Sequence, residues 1–448
     1  MRRALALALV LTTSCTLAPK YERPASPVAN QFGAAGGSLA AADQGWRAMF
    51  PDARLQALLA LALVNNRDLR IAALQVELTR AQYRIERADL VPQVGATAAG
   101  TFSNVEAQRR YSVGLTAAYE LDLFGRVRSL SAAALEDYLS TVEAHRAAHL
   151  ALVGEVVSQY LRERGYAEER ELAERTQAAT REMYDLSKRM FEAGQRSELD
   201  MRTAEAQVQA ARAEVARLTR LEQQANNALV LLIGQPLPAN LPAAQPLAAQ
   251  TMIADLAPGI PSDVLLRRPD VLAAEHTLRA ANANIGAARA AFLPRISLTG
   301  FAGFASAALG TLFSGGLVWT FAPQLTLPLF EGGRNVAGLD VAKVRKRIEV
   351  ARYEQAIQTA FREVADALAA RATFEEQLAA QSARVEAEQV RFDLSNQRYR
   401  AGIESYLSVL EATQDLYAAQ QQLIEVRIAR LTNLADLYRA LGGGWRER

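Results

Sequence analysis

The chain states one pattern twice, and this constrains its fold more than any other feature. Arg189-Met-Phe-Glu-Ala-Gly194-Gln-Arg-Ser-Glu-Leu199 returns as Arg398-Tyr-Arg-Ala-Gly402-Ile-Glu-Ser-Tyr-Leu407, one residue shorter. Gly194 and Gly402 lie 208 residues apart, as do Ser197 and Ser405, Leu199 and Leu407, and Gly234 and Gly442. Leu121-Asp-Leu-Phe-Gly-Arg126 is likewise answered by Leu327-Pro-Leu-Phe-Glu-Gly-Gly-Arg334. Two copies of one unit of about two hundred residues imply internal pseudo-twofold symmetry.

Proline placement divides each copy. None occurs between Pro92 and Pro236 or after Pro328. These stretches are rich in Ala, Leu, Glu, Gln and Arg, which favour helix. Arg126 to Ala193 predicts a helix of roughly 100 Å at 1.5 Å per residue. A turn at Gly194 follows, then an N-cap at Ser197 and a helix to Ile233. The second copy predicts a helix from Arg334 to Ala401, a turn at Gly402, a cap at Ser405 and a helix to Leu441. Helices this long need lateral partners.

Ahead of each long helix the period changes to two. Tyr111 to Leu123 alternates apolar odd positions with mostly polar even ones, and Val94 to Phe102 does the same. Ile296 and Leu298 echo this, as do Trp319, Phe321, Leu325, Leu327 and Leu329. Phe301 falls out of step with Ile296, and Pro323 and Pro328 weaken the last strand. Each copy therefore reads as helix, β-hairpin, long helix, turn, helix. The strands are long enough to cross a bilayer at a tilt. Four strands cannot close a barrel, and open edges in lipid leave backbone groups unsatisfied. Two chains would give eight strands and a filled interior; three would give twelve and room for a channel.

The segments follow from these signals: an export signal at 1–14, an extended arm at 15–51, a first repeat at 52–235 with its hairpin at 93–123, an irregular Pro-rich linker at 236–265, and a second repeat at 266–448 with its hairpin at 295–329. Met1-Arg2-Arg3 precedes an apolar stretch, Ala4 to Leu11, too short to span a membrane. Cys15, the sole cysteine, follows directly. It cannot form an internal disulfide. Its position resembles a bacterial lipobox, with Ser14 fitting that pattern and Thr12 departing from it. Thr16, rather than Asp, resembles lipoproteins sent to the outer membrane.

Chemistry-bearing constellations are few. His145 and His149 stand four apart on a predicted helix, without a third metal ligand or a catalytic Glu. His276 shows no partner in the sequence. Gly332-Gly333-Arg334 and Gly125-Arg126 read as strand-to-helix turns. Glu168-Glu169-Arg170 reads as a solvated helix face. Nothing points to an enzyme, and a net charge of +2 predicts no nucleic-acid partner.

With these features in place, the chain resembles the TolC-like outer-membrane factors, nearest the lipoprotein branch of OprM- and NodT-like proteins. The residues carrying the resemblance are Cys15-Thr-Leu-Ala-Pro-Lys-Tyr-Glu-Arg-Pro24, Leu121 to Arg126, Leu266-Arg-Arg-Pro-Asp270, Leu327 to Arg334, and Arg398 to Leu407. The resemblance implies a mixed α/β membrane protein, with four transmembrane strands per chain in a twelve-stranded trimeric barrel and a long helical tunnel through the periplasm. It implies a passive exit duct of a tripartite efflux system. Its partners would be two further copies, a periplasmic adaptor, an inner-membrane transporter of the RND class, and outer-membrane lipid. The implied location is the outer membrane, lipid-anchored and extending into the periplasm. No cofactor is implied beyond a covalent lipid on Cys15. The alternative from another class is a coiled-coil lipoprotein tether, for which amphipathic hairpins have no use.

The resemblance also assigns sites. The tips Ala193-Gly194-Gln195 and Ala401-Gly402-Ile403 would face the adaptor. Leu407 and Glu411, four apart on one helix face, would form stacked apolar and acidic rings closing the periplasmic end. Asp200 and Tyr399 match positions that bond across neighbouring helices in TolC itself. Glu404 stands where TolC has the arginine of an intersubunit latch.

Overall fold

The computed structural model describes residues 16–32, 45–250, 252 and 262–443. Cys15 and the export segment 1–14 lie outside the described residues. After a one-turn helix at Trp46–Met49 the order is α1 (Ala53–Asn65), α2 (Arg67–Ala88), β1 (Gln93–Thr101), β2 (Arg110–Leu121), α3 (Arg126–Glu192), α4 (Glu198–Ile233), α5 (Pro269–Ala290), β3 (Arg295–Ser306), β4 (Val318–Thr326), α6 (Arg334–Arg400) and α7 (Tyr406–Ala440).

The duplication is visible in helix lengths. α3 and α6 each run 67 residues, and α4 and α7 run 36 and 35. Each ends at a glycine with positive φ: Gly194, Gly234, Gly402 and Gly442. The single helix expected before the first hairpin is broken at Asn66. Its Oδ1 accepts from the Leu69 amide at 2.8 Å and its Nδ2 donates to the Leu232 carbonyl at 2.8 Å. One side chain thus starts α2 and satisfies an orphan carbonyl near the end of α4.

The four strands form one antiparallel sheet in the order β1-β2-β3-β4. β2 stops at Leu121 rather than Leu123 because Asp122 turns to cap α3, accepting from the Val127 and Arg128 amides at 3.2 and 2.9 Å. β4 stops at Thr326, short of Pro328, which has no amide proton to donate. Pro323 sits inside β4 opposite Leu298, tolerated because β4 is an edge strand.

Register sorts the side chains into two faces. Ala96 opposes Leu115, Leu115 opposes Ala302, and Ala302 opposes Trp319. Val113, Ile296, Phe304, Phe321 and Leu325 share this apolar face by two-residue alternation. The other face carries Thr97, Thr101, Arg110, Ser112, Thr116, Ser297, Thr299, Thr320 and Gln324. Phe301 belongs to that polar face, opposite Thr116 and Thr320. The pairing runs unbroken through Phe301, so its change of step is a real change of face rather than a bulge.

The described residues fall into two compact units, each drawn from both repeats. One comprises residues 16–27, Ala72–His145 and Pro269–Ile357 and contains the sheet. Within it the extended arm lies along α5. Arg289 donates to the Leu17 carbonyl at 2.9 Å and Asn282 to the Pro19 carbonyl at 2.7 Å. Glu275 accepts from Arg23 through both oxygens, from Tyr21 and from Arg279. His276 finds Glu136 at 2.6 Å, a partner 140 positions away in sequence.

The second unit is built from the described residues of Val28–Ile71, of Arg146–Arg268 and of the chain from Gln358 onward. α1 buries Leu55, Leu58, Leu59 and Ala62, and α4 buries Leu218, Ala225, Leu229 and Ile233. Asp52 caps α1 and accepts from the buried Tyr160 hydroxyl at 2.7 Å and from Gln250 at 2.5 Å. The described residues of the linker are largely irregular but pinned: Leu247 is buried, and its amide donates to Glu168 at 2.6 Å. Glu169, expected on a solvated face, is instead buried. Burial, then the nearby Glu425 carboxylate, pushes it up to about 7.

Candidate functional site

The two helix reversals carry the expected tips, and both are closed in the same way. After α3 the Gly194 amide donates to the Phe191 carbonyl at 2.9 Å and the Gln195 amide to Met190 at 2.8 Å. After α6 the Gly402 amide donates to Tyr399 at 2.9 Å and the Ile403 amide to Arg398 at 3.0 Å. These bonds satisfy the last carbonyls of each helix through a left-handed glycine. An added Cβ on either glycine would meet nothing within 4 Å. Backbone conformation, not space, therefore requires glycine here.

The next helices start differently. Ser197 Oγ accepts from the Asp200 amide at 3.2 Å. Ser405 holds the N-cap position of α7 without a side-chain cap bond, its Oγ lying 3.5 Å from Ser408 Oγ. Glu198 and Asp200 add negative charge in the first turn of α4, where the helix dipole favours it.

A small core sits behind the turns, formed by Met183, Ala204, Tyr399, Tyr406 and Val409, with Tyr184, Leu186, Met190, Phe392 and Leu410 against it. Tyr399 and Tyr406 meet edge to face at 5.8 Å. Burial, then the Tyr399 neighbour, pushes the Tyr406 hydroxyl up to about 12, so it stays neutral. The partner of the Tyr399 hydroxyl within the chain is Ser187 Oγ at 3.1 Å, not Asp200. The guanidinium of Arg196 lies 5.2 Å over the Tyr399 ring and donates to the Glu404 carbonyl at 3.3 Å. Glu404 accepts from Arg398 at 2.9 Å, and Arg400 pairs with Glu182 at 2.9 Å. The carboxylate at the latch position thus closes its own turn.

Of the tip residues, Ala193, Gly194, Gln195, Ala401, Gly402 and Ile403 are all exposed. Leu407 and Glu411 are exposed on α7, on the side away from the buried Tyr406, Val409 and Ala412. Tyr399 is fully buried and Asp200 is half-buried. Sequence reasoning missed Ser187 and Arg196. The duplication holds a signal for one of them, since Arg196 and Glu404 occupy equivalent places in the two copies. Ser187 has no such signal, because its role depends on a contact between distant helices.

Chemically, this arrangement presents exposed apolar and acidic side chains on a braced helical end. Among the described residues no group of three or more His, Cys, Asp or Glu could hold a metal. No described helix is long and apolar enough to cross a membrane.

Comparison with known proteins agrees with this geometry. The outer membrane efflux protein family matches residues 58–235 and again 260–443. The antibiotic efflux pump outer membrane protein ArpC of Pseudomonas putida is 48% identical, over 99% of this chain and 96% of its own. The toluene efflux pump outer membrane protein TtgC, also of Pseudomonas putida, is 47% identical over the same shares. Among solved structures, the open state of the MtrE outer membrane channel of Neisseria gonorrhoeae superposes with a TM-score of 0.89 at 44% identity, covering 96% of this chain and 99% of that one.

Proposed function

Since the chain belongs to the outer membrane efflux protein family, we propose that it is the passive exit duct of a tripartite efflux system, assembled as a homotrimer. It takes cargo from an inner-membrane transporter of the RND class through a periplasmic adaptor. The observation that carries this reading is a four-stranded sheet with one apolar face and two unpaired edges. A lone sheet of this kind in lipid leaves each unpaired backbone group several kcal/mol short, and three copies remove the edges by closing twelve strands. The helices support lateral assembly as well. α2 exposes Ile71, Leu74, Leu78 and Ile85 along one stripe in the isolated chain, and such a stripe calls for a helical neighbour.

Cys15 carries lipid that anchors the mature protein, with two or more acyl chains needed for stable attachment. The tips at Gly194 and Gly402 receive the adaptor, and the rings of Leu407 and Glu411 close the resting duct. Relatives named for antibiotic and toluene efflux favour organic molecules as cargo.

Purified protein in planar bilayers tests the duct directly, with ion conductance expected and its absence overturning the reading. Mass measurement in detergent should give three chains; a stable monomer or dimer would contradict the trimer. Labelled palmitate should enter the wild type and not Cys15→Ser.

A further inference from the structure

The polar face of the sheet holds one aromatic side chain, Phe301, among the described strand residues. Its neighbours along and across the strands are mostly Thr, Ser, Ala and Gly. The ring leans over Gly114, where an added Cβ would come within 2.9 Å of Phe301 Cε2 and 2.7 Å of Gly303 Cα. Gly114 and Gly303 are directly paired. A glycine floor therefore leaves the space that the ring occupies.

Phe301 also lines a depression of about 960 Å³ that extends toward the hairpin loops. Arg109 and Arg110 line the same depression, together with Thr101, Ser112 and Thr320. None of the described residues lining it is a carboxylate. Arg109 is held by its Nε donating to the Ser103 carbonyl at 2.8 Å, whereas Arg110 is exposed at the start of β2. Arg110 and Gly114 stand four positions apart, roughly 13 Å of strand at about 3.3 Å per step. An apolar surface and a cation thus stand one small molecule's length apart on a hydroxyl-rich wall.

We propose that this depression is a cargo-contact site for aromatic anions, with a ring against Phe301 and the acidic group on Arg110. The inference rests on the duct reading, in which the apolar face meets lipid and the polar face lines the channel. Aromatic rings favour edge or offset contact with Phe, and a guanidinium pairs sulfonate or carboxylate through charge-assisted hydrogen bonds. Filling space above glycine is the purely structural role for Phe301, and it predicts no ligand dependence.

The test is current block in planar bilayers, with 2-naphthalenesulfonate and methanesulfonate added separately on the hairpin-loop side. Wild type should be blocked more strongly by the aromatic probe. Phe301→Ala should weaken that block about fivefold, the size of one aromatic contact, and leave methanesulfonate unchanged. Arg110→Gln should weaken block by both anions. Phe301→Tyr should retain the aromatic block and Phe301→Leu should lose most of it, which keeps the test intact where Phe301→Ala fails to assemble. Equal block by the aromatic probe in wild type and Phe301→Ala, or in the Tyr and Leu variants, overturns the site while leaving the duct standing. A wild-type protein that conducts no ions overturns the duct reading, and the site with it.

Discussion

The Tyr399 hydroxyl lies 3.1 Å from Ser187 Oγ, and both residues are fully buried. This bond ties α6 to α3 just behind the two tips. Tyr399→Phe leaves the Ser187 hydroxyl buried without that partner, at a cost of about 1 kcal/mol. Ser187→Ala should cost a similar amount. The double variant should cost less than the two singles together, because the pair is already broken in each. Hydrogen exchange of amides in Arg398–Ala412 reads the effect. Strictly additive losses would show that the two hydroxyls are not coupled.

Leu407 and Glu411 project from the exposed side of α7. An acidic ring favours cations in a pore. The double variant Leu407→Ala with Glu411→Ala should therefore raise single-channel conductance and lower cation preference, while trimers persist. Unchanged conductance and selectivity would place the constriction elsewhere.

Gly194 and Gly402 have φ of 72° and 76° with open space around them. An added Cβ at either site meets nothing within 4 Å, so a larger residue costs chiefly the left-handed backbone, at least about 1–2 kcal/mol. Gly194→Val with Gly402→Val should leave trimers intact and reduce crosslinking to the adaptor. Full crosslinking and full export in that variant would mean that the turns serve the helix ends alone.

Glu169 is a buried acid whose folded-state value rises from the usual glutamate range to about 7. The folded state thus holds a proton that the unfolded chain has already released above its own, lower value. Stability from this group is fully present below about pH 4.5 and is lost as pH rises through 7. Glu169→Gln keeps the neutral shape and should stabilise the protein at pH 8, by no more than on the order of 3 kcal/mol. The advantage should fade toward pH 4.5. Thermal unfolding at the two pH values decides it, and a pH-independent difference would contradict the assignment.

Glu275 behaves oppositely. Burial pushes it up, but hydrogen bonds and charge from Arg23 and Arg279 outweigh this and hold it below the usual glutamate range. Its contribution is present above the ordinary glutamate value and is lost as pH falls through the lowered one. Glu275→Gln should loosen the arm, so that trypsin cuts after Lys20, next to the Glu275-bound Tyr21, faster than in wild type at neutral pH. The difference should shrink in acid, followed with an acid-active protease. Equal cleavage rates at neutral pH would show that the arm is held by its backbone bonds to Asn282 and Arg289 alone.

The sequence by itself determined the duplication, the long helices, their glycine turns and the alternating hairpins. Each is a local matter: a helix end needs a left-handed residue, and a strand face repeats every two positions, so Gly194, Gly402 and the Tyr111 run declare themselves. Its family resemblance followed from the same short motifs. Only the tertiary structure decided which distant groups meet. Asp52 finds Tyr160 and Gln250, Ser187 finds Tyr399, and His276 finds Glu136 across intervals that no local period encodes. Burial was decided there too. Glu169 reads as one more charge on a polar helix until packing removes its water, and Phe301 reads as a lapse in alternation until unbroken pairing puts it on the polar face. The physical reason is common to both: periodicity reports the direction of a side chain from its own backbone, while solvent and partners depend on what other segments bring to it.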